Sequence, residues 1–144
     1  MTDIRDPEVL VDTSVAVALS VLDHEGRAAS LSTVAGMRIG LAGHAAFETF
    51  SVLTRLPGLA RRTPAAIGRL LAANFPYSRF LDEEATVDVL GRLAETGTAG
   101  GAVYDALVGA TARHHQVPLA TRDLRALRTY RAFDVDVVVI RSAG

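Results

Sequence analysis

The chain has 144 residues, of which 49% are apolar and 22% charged, a composition typical of one ordinary globular domain. It contains no cysteine, which excludes disulfides, thiolate metal sites and cysteine nucleophiles. The net charge of -1 gives no overall positive field that would attract nucleic acid. All 15 basic residues are arginine, a choice that fits codon usage in a GC-rich genome, recognition of phosphate, or both.

Short apolar runs alternate with amphipathic helical stretches in the first part of the chain. The apolar run at 9–11 is typical of an interior parallel strand, and Pro57 with Gly58 marks the end of a helix. The elements predicted here are a strand at 9–11, a helix from Thr13 or Ser14, a helix at about 25–35, a strand at 38–41 and a helix from His44 to Leu56.

The same alternation continues to the C-terminus. Thr63 before Pro64 indicates a helix N-cap, and Asp82 before two glutamates indicates another. The predicted elements are helices at about 64–74, 82–97 and 102–115, strands at 78–81, 118–120 and 135–140, and a helix beginning at Asp123. Strands alternating with helices predict an α/β sandwich with a mostly parallel sheet.

Two acids follow predicted strands. Asp12 comes directly after the strand at 9–11, and Asp123 comes shortly after the strand at 118–120. Because ligands gather beyond the carboxyl ends of parallel strands, both side chains are expected at the ligand-binding edge of the sheet. Each acid also has a purely structural interpretation, as the N-cap of the helix that follows it.

Two further acids lie among apolar residues of predicted helices. Asp105 falls in the first turn of the helix at 102–115, where the helix dipole favours its charge. Glu48 lies on a mostly apolar face of the helix at 44–56, so it is either directed at a site or solvated at the edge of the core. Clustered carboxylates repel one another unless a cation neutralises them, and an all-oxygen set suits Mg²⁺ or Mn²⁺.

Four segments, in this order, resemble the acidic motifs of the PIN-domain family, and within it the VapC-type toxins of bacterial toxin–antitoxin pairs. The segments are Val11–Val15, Ala46–Leu56, Tyr104–Ala112 and Leu119–Asp123. No single motif is specific, because Asp-Thr-Ser alone is common, but the ordered set is. The resemblance implies a three-layer α/β/α fold and cleavage of RNA by metal-activated water, with Mg²⁺ or Mn²⁺ as the cofactor. It also implies a homodimer and a VapB-like antitoxin as partner.

The resemblance also assigns roles by motif. The residues that match the metal-binding and catalytic acids are Asp12, Glu48, Asp105 and Asp123. The hydroxyl residues expected to support them through hydrogen bonds are Thr13, Ser14 and Thr121. Arg122 stands beside Asp123 and is a candidate for holding RNA phosphate, for pairing with the acids, or for a solvated side chain.

Two other functions fit parts of this pattern. A receiver-type phosphoacceptor domain also carries acids at strand ends, but that class relies on a lysine and this chain has none. A PIN-fold nuclease or RNA-binding module outside toxin–antitoxin systems, acting in RNA processing, is the other alternative. A reading frame for a DNA-binding antitoxin directly upstream would favour the toxin.

The last predictions concern a possible dimer surface and the location of the protein in the cell. Ile67, Leu70 and Leu71 on the helix at 64–74 either form a dimer surface or pack on the chain's own core. No apolar run approaches the roughly 20 residues of a membrane-spanning helix, and the polar start at residues 1–6 is unlike a signal peptide. We therefore expect a single domain over residues 1–144, located in the cytoplasm without membrane contact.

Overall fold

The computed structural model describes residues 6–141, within which four strands form one parallel sheet. The strands are β1 (Glu8–Val11), β2 (Arg38–Leu41), β3 (Leu119–Thr121) and β4 (Val137–Val139). They lie in the order β2-β1-β3-β4, and all three neighbouring pairs are parallel. The sheet therefore has β1 and β3 at its centre.

Seven α-helices connect and cover the strands in the described part of the chain. They are α1 (Thr13–Ser20), α2 (Arg27–Val34), α3 (His44–Thr54), α4 (Pro64–Asn74), α5 (Glu83–Thr96), α6 (Ala102–His115) and α7 (Leu127–Ala132). The predicted N-caps are confirmed: Thr63 accepts a hydrogen bond from the N–H of Ala66, and Asp82 accepts one from the N–H of Ala85.

Both faces of the sheet are buried, as the alternation of side chains along β1 shows. Val9 and Val11 pack on one side with Val15 of α1, whereas Leu10 packs on the other side with Val108 of α6. A parallel strand covered on both faces needs apolar residues at every position, which explains its continuous apolar run. The predicted three-layer α/β/α sandwich is confirmed.

The predicted strand at 78–81 is wrong. In this segment only Arg79 forms a bridge, to Ala42 beyond the end of β2, with backbone hydrogen bonds to Leu41 and Gly43, so the pairing is too short to count as a strand. Gly40 permits this close approach, because a Cβ there would lie 2.1 Å from the carbonyl of Tyr77. The local sequence of four residues does not show over how many of them a neighbouring strand will pair.

Two smaller differences concern the C-terminal part. The predicted helix at Asp123 begins as a 3-10 turn over Leu124–Ala126 before α7, and the last strand is shorter than the predicted 135–140. In α4, Ile67 is 2% exposed and Leu71 packs against the core, so these two residues follow the core-packing interpretation instead of forming a surface.

Between residues 6 and 141, every helix is too short or too polar to span a bilayer. The polar N-terminal segment discussed above lies, except for Asp6, outside the described residues.

Candidate active site

The two central strands end at a point where the chain changes direction across the sheet. From β1 the chain continues to β2 on one side, and from β3 it continues to β4 on the other. In open α/β sheets, such a switch point leaves a crevice at the carboxyl ends of the strands, where ligands bind. Asp12 follows β1 directly, and Asp123 lies two residues beyond β3.

The Asp12 carboxylate is 4% exposed and accepts four hydrogen bonds. Its Oδ1 accepts from the hydroxyl of Ser14 at 2.6 Å and from the backbone N–H of Val15 at 3.2 Å. Its Oδ2 accepts from the hydroxyl of Thr121 and from that of Tyr130 at 2.8 Å. Burial raises the pKa of Asp12, while these hydrogen bonds oppose the rise. Asp12 therefore caps α1 and also ties β1, β3 and α7 together.

Two of these donors are themselves held by the loop after β3. The Ser14 hydroxyl accepts the backbone N–H of Arg122 at 2.8 Å, and the Thr121 hydroxyl accepts the N–H of Asp123 at 3.0 Å. Each hydroxyl thus accepts a bond from the loop and donates its own hydrogen to Asp12. This arrangement fixes the loop that carries Asp123 against the first turn of α1.

Glu48 reaches the same region from α3. Its Oε1 accepts a hydrogen bond from the Thr13 hydroxyl at 3.0 Å, and Thr13 is the residue that follows Asp12. The side chain is therefore linked to the start of α1 and is not simply solvated on the helix surface.

Asp105 lies in the first turn of α6 and is partly buried. Its pKa is raised to about 6, first by burial and then by the negative charges of Asp123, Glu48 and Asp12, while the positive charge of Arg125 opposes the rise. Charges act on one another in this way only over short distances. The fold thus brings all four predicted acids into one electrostatic cluster.

The four acids do not form a closed set of ligands around one point. Among residues 6–141, no three carboxylate or imidazole side chains come close enough to one another to ligate a single ion directly. The donors are all oxygen atoms, and the charges of the other three acids add to the effect of burial in raising the pKa of Asp105. Such a set fits Mg²⁺ or Mn²⁺, since Mg²⁺ usually keeps several waters and contacts only one or two carboxylates.

The two arginines near the cluster are placed differently. Arg125 contacts the Asp123 carboxylate at 3.4 Å, but its side chain is 94% exposed. The guanidinium of Arg122 packs against Gly26 before α2, where a Cβ would lie 2.2 Å from its Cζ. The Arg122 Nε is buried without a hydrogen-bond partner in the described part of the chain. Arg122 is therefore directed at the α1–α2 loop.

Tyr130 and Arg125 were not predicted from the sequence. Leu127, Tyr130 and Phe133 recur at helical spacing, which is a signal for a buried face of α7. A buried tyrosine normally finds a hydrogen-bond partner for its hydroxyl. That signal predicts that Tyr130 has a partner but does not indicate Asp12.

Comparison with known proteins relates this chain to nucleases. A family model for the PIN domain matches residues 9–132. Ribonuclease VapC27 of Mycobacterium tuberculosis is 45% identical over 133 residues, which cover 92% of this chain and 97% of the relative. Ribonuclease VapC40 of the same organism is 43% identical over 131 residues, 90% of this chain and 96% of the relative.

Solved structures share the fold at lower identity. FitAB bound to an IR36 DNA fragment has a TM-score of 0.65 at 18% identity and covers 91% of this chain and 94% of that one. FitAcB from Neisseria gonorrhoeae has a TM-score of 0.63 at 20% identity, with coverages of 90% and 95%. PAE2754 from Pyrobaculum aerophilum has a TM-score of 0.56 at 21% identity, with coverages of 92% and 90%. At these identities the likeness shows the fold alone.

Proposed function

The chain belongs to the PIN-domain family, and from this membership we propose that it is an endoribonuclease, the toxin of a VapBC-type toxin–antitoxin pair. The observation that carries the proposal is the charge of the acid cluster. The pKa of Asp105 rises to about 6 because the side chain is partly buried and because three other carboxylates lie near it, while Arg125, the cation that opposes the rise, is largely exposed. A divalent cation would relieve this repulsion.

Asp12 and Asp105 are the residues that would hold the cation, with Asp123 and Glu48 contributing through water or orienting the nucleophile. When bound, Mg²⁺ or Mn²⁺ lowers the pKa of water and neutralises charge developing on the scissile phosphate. The chain's own contribution is orientation. Thr121 holds both Asp12 and the backbone of Asp123, while Thr13 holds Glu48. These hydroxyls support the carboxylates from outside the cluster.

Cleavage of RNA by the purified protein tests the proposal. We expect cleavage with Mg²⁺ or Mn²⁺, none with EDTA, and a loss of at least about 100-fold in rate for Asp105→Asn and Asp12→Asn. Asp105→Asn is the more informative variant, because the Asp105 carboxylate accepts no hydrogen bond from residues 6–141 and its replacement should not disturb the fold. The Asp12 carboxylate does accept such bonds.

Asp88→Asn is the matched control, since Asp88 is an exposed acid on α5 that does not contribute to the pKa shift of Asp105. It should cleave RNA at the wild-type rate. Wild-type rates in both cluster variants would show that the four acids are not the active site.

The antitoxin is the partner that the proposed function requires. Induction of the protein alone should arrest growth, and co-expression of a small protein encoded directly upstream should relieve the arrest. Growth arrest that no neighbouring gene relieves would favour a PIN nuclease outside toxin–antitoxin systems. The cytoplasmic location expected from the sequence stays a prediction.

We also propose a homodimer, on a surface other than the predicted one on α4. Phe47, Phe80 and Tyr104 are 66%, 50% and 49% exposed, an unusual exposure for large aromatic side chains. Their rings form a continuous chain through His44, which stacks on Tyr104 at 4.8 Å between ring centroids. A second copy of the chain covering this patch would bury these rings. Light scattering tests the proposal: the wild type should have the mass of a dimer, and Phe47→Glu should have the mass of a monomer.

A further inference from the structure

The acceptor capacity of Asp12 is filled by the protein itself. A carboxylate offers about four lone-pair sites, and Asp12 receives donors from Ser14, Val15, Thr121 and Tyr130. A cation that ligates Asp12, as the proposed function requires, must therefore share or replace one of these donors. Which donor yields depends on how firmly each is held.

Three of the four donors are held from a second side. The N–H of Val15 belongs to the backbone of the first turn of α1. The hydroxyls of Ser14 and Thr121 accept N–H groups from the loop after β3, so each has its remaining hydrogen directed to Asp12. Moving either hydroxyl would break a second hydrogen bond and shift the loop that carries Asp123, and moving the N–H of Val15 would distort the first turn of α1.

The Tyr130 hydroxyl is held by Asp12 alone among residues 6–141. It comes from α7, and its ring is fully buried between α6 and the sheet, where Gly109 leaves room for it. The ring is therefore fixed by packing, while the hydroxyl hydrogen is free to turn about the C–O bond. Of the four donors, it is the one that can release Asp12 without disturbing another contact.

We infer that the Tyr130 hydroxyl competes with a divalent cation for Oδ2 of Asp12 and so sets the affinity of the cluster for the cation. In the cation-free protein the hydroxyl stabilises the buried carboxylate, and on binding it gives up that position. The inference rests on the proposed function, because it requires the cation to contact Asp12. It makes Tyr130 an affinity-setting residue that the acidic motifs do not include.

The sign of the effect separates this inference from a simple supporting role. If the hydroxyl only orients a metal ligand, its removal weakens metal binding about 10- to 100-fold. If the hydroxyl competes with the metal, its removal strengthens metal binding. Tyr130→Phe deletes the oxygen and keeps the ring that fills the core, so the fold is preserved.

Calorimetric titration of Mn²⁺ into the metal-free protein is the decisive measurement. We expect Tyr130→Phe to bind Mn²⁺ about tenfold more tightly than wild type, which corresponds to about 1.4 kcal/mol. Tyr77→Phe, the matched control, removes the same atom from a ring that lies beside Arg38, and it should bind as wild type does. Unchanged or weaker binding by Tyr130→Phe would overturn the inference.

A second readout does not depend on the Tyr130→Phe variant. The chain has three tyrosines and no tryptophan, so a variant with Tyr77→Phe and Tyr104→Phe reports the fluorescence of Tyr130 alone. A carboxylate acceptor quenches tyrosine emission, so saturation with Mg²⁺ should raise it. No change at saturating Mg²⁺ would show that the hydrogen bond to Asp12 persists and would overturn the inference.

Asp105→Asn distinguishes failure of this inference from failure of the proposed function. Binding of Mn²⁺ that is lost in Asp105→Asn but unchanged in Tyr130→Phe would overturn the inference and leave the metal site standing. Absence of Mn²⁺ binding in wild type and every variant would overturn both.

Discussion

Asp12 and Asp105 belong to one acid cluster, but their surroundings differ. Asp12, at the sheet edge, is 4% exposed and accepts hydrogen bonds from four groups of α1, β3 and α7. Asp105, on α6, is only partly buried and accepts none from the described residues. Burial raises the pKa of both, but hydrogen bonds oppose the rise for Asp12, whereas neighbouring carboxylates add to it for Asp105.

The difference separates two tasks that one cluster performs. Asp12 is part of the architecture, because removing it would leave donors of three elements without an acceptor. Asp105 has a charge that the described residues leave largely uncompensated, which is the property that the proposed cation site requires. Folding stability should therefore fall when the Asp12 carboxylate is removed and rise when the Asp105 carboxylate is removed, although either loss should weaken the proposed cation binding.

The largest effect on stability is expected for Asp12→Ala. The variant removes the cap of α1 and leaves the buried hydroxyls of Thr121 and Tyr130 without an acceptor, so we expect a loss of about 2–3 kcal/mol in the free energy of unfolding. Urea denaturation with EDTA measures it, with Asp88→Ala as control. A loss no greater than that of the control would show that Asp12 is not structural.

A smaller effect of opposite sign is expected for Asp105→Asn. The pKa of Asp105 is about 6 in the folded protein against the ordinary value of 3.8, so the folded state binds the proton more tightly than the unfolded state. Its contribution to stability is therefore full below about pH 4 and is lost as the pH rises through 6. Asp105→Asn should remove this loss and stabilise the cation-free protein at pH 7.5 by up to about 1 kcal/mol, since Asp105 is partly exposed and screened.

Urea denaturation of wild type and Asp105→Asn at pH 4.5 and pH 7.5, both with EDTA, checks the sign. The advantage of the variant should be larger at pH 7.5. A variant less stable than wild type at pH 7.5 would mean that Asp105, like Asp12, has a structural role and that the contrast between them is wrong.

The smallest effect is expected for Arg125→Gln. Its positive charge lowers the pKa of Asp105, so its removal should move the pH midpoint of the Asp105 contribution upward by a few tenths of a unit. Because the side chain is 94% exposed, the shift should disappear at high salt. A shift that persists in about 1 M salt would indicate that Arg125 contacts Asp105 directly and does not act on it as a screened charge.

Much of the fold was predictable because its signals are local. The apolar run of β1, the N-caps at Thr63 and Asp82, and the placement of Asp12 after a strand all depend on residues within one or two turns. The error at 78–81 has the opposite origin. Whether these residues form a strand depends on how far they pair with the distant end of β2, and only Arg79 forms a bridge there.

The sequence by itself predicted the layered α/β fold and the positions of Asp12 and Asp123 after strands, because periodicity, capping and strand ends depend on neighbouring residues. Glu48 and Asp105 were assigned to the site mainly through the resemblance to the PIN-domain motifs. Only the tertiary structure decided which donors hold Asp12 and how strongly Asp105 is repelled. The hydroxyls of Thr121 and Tyr130 are 109 and 118 positions from Asp12 in the chain. Contacts over such separations depend on how the layers pack, and no local pattern records them.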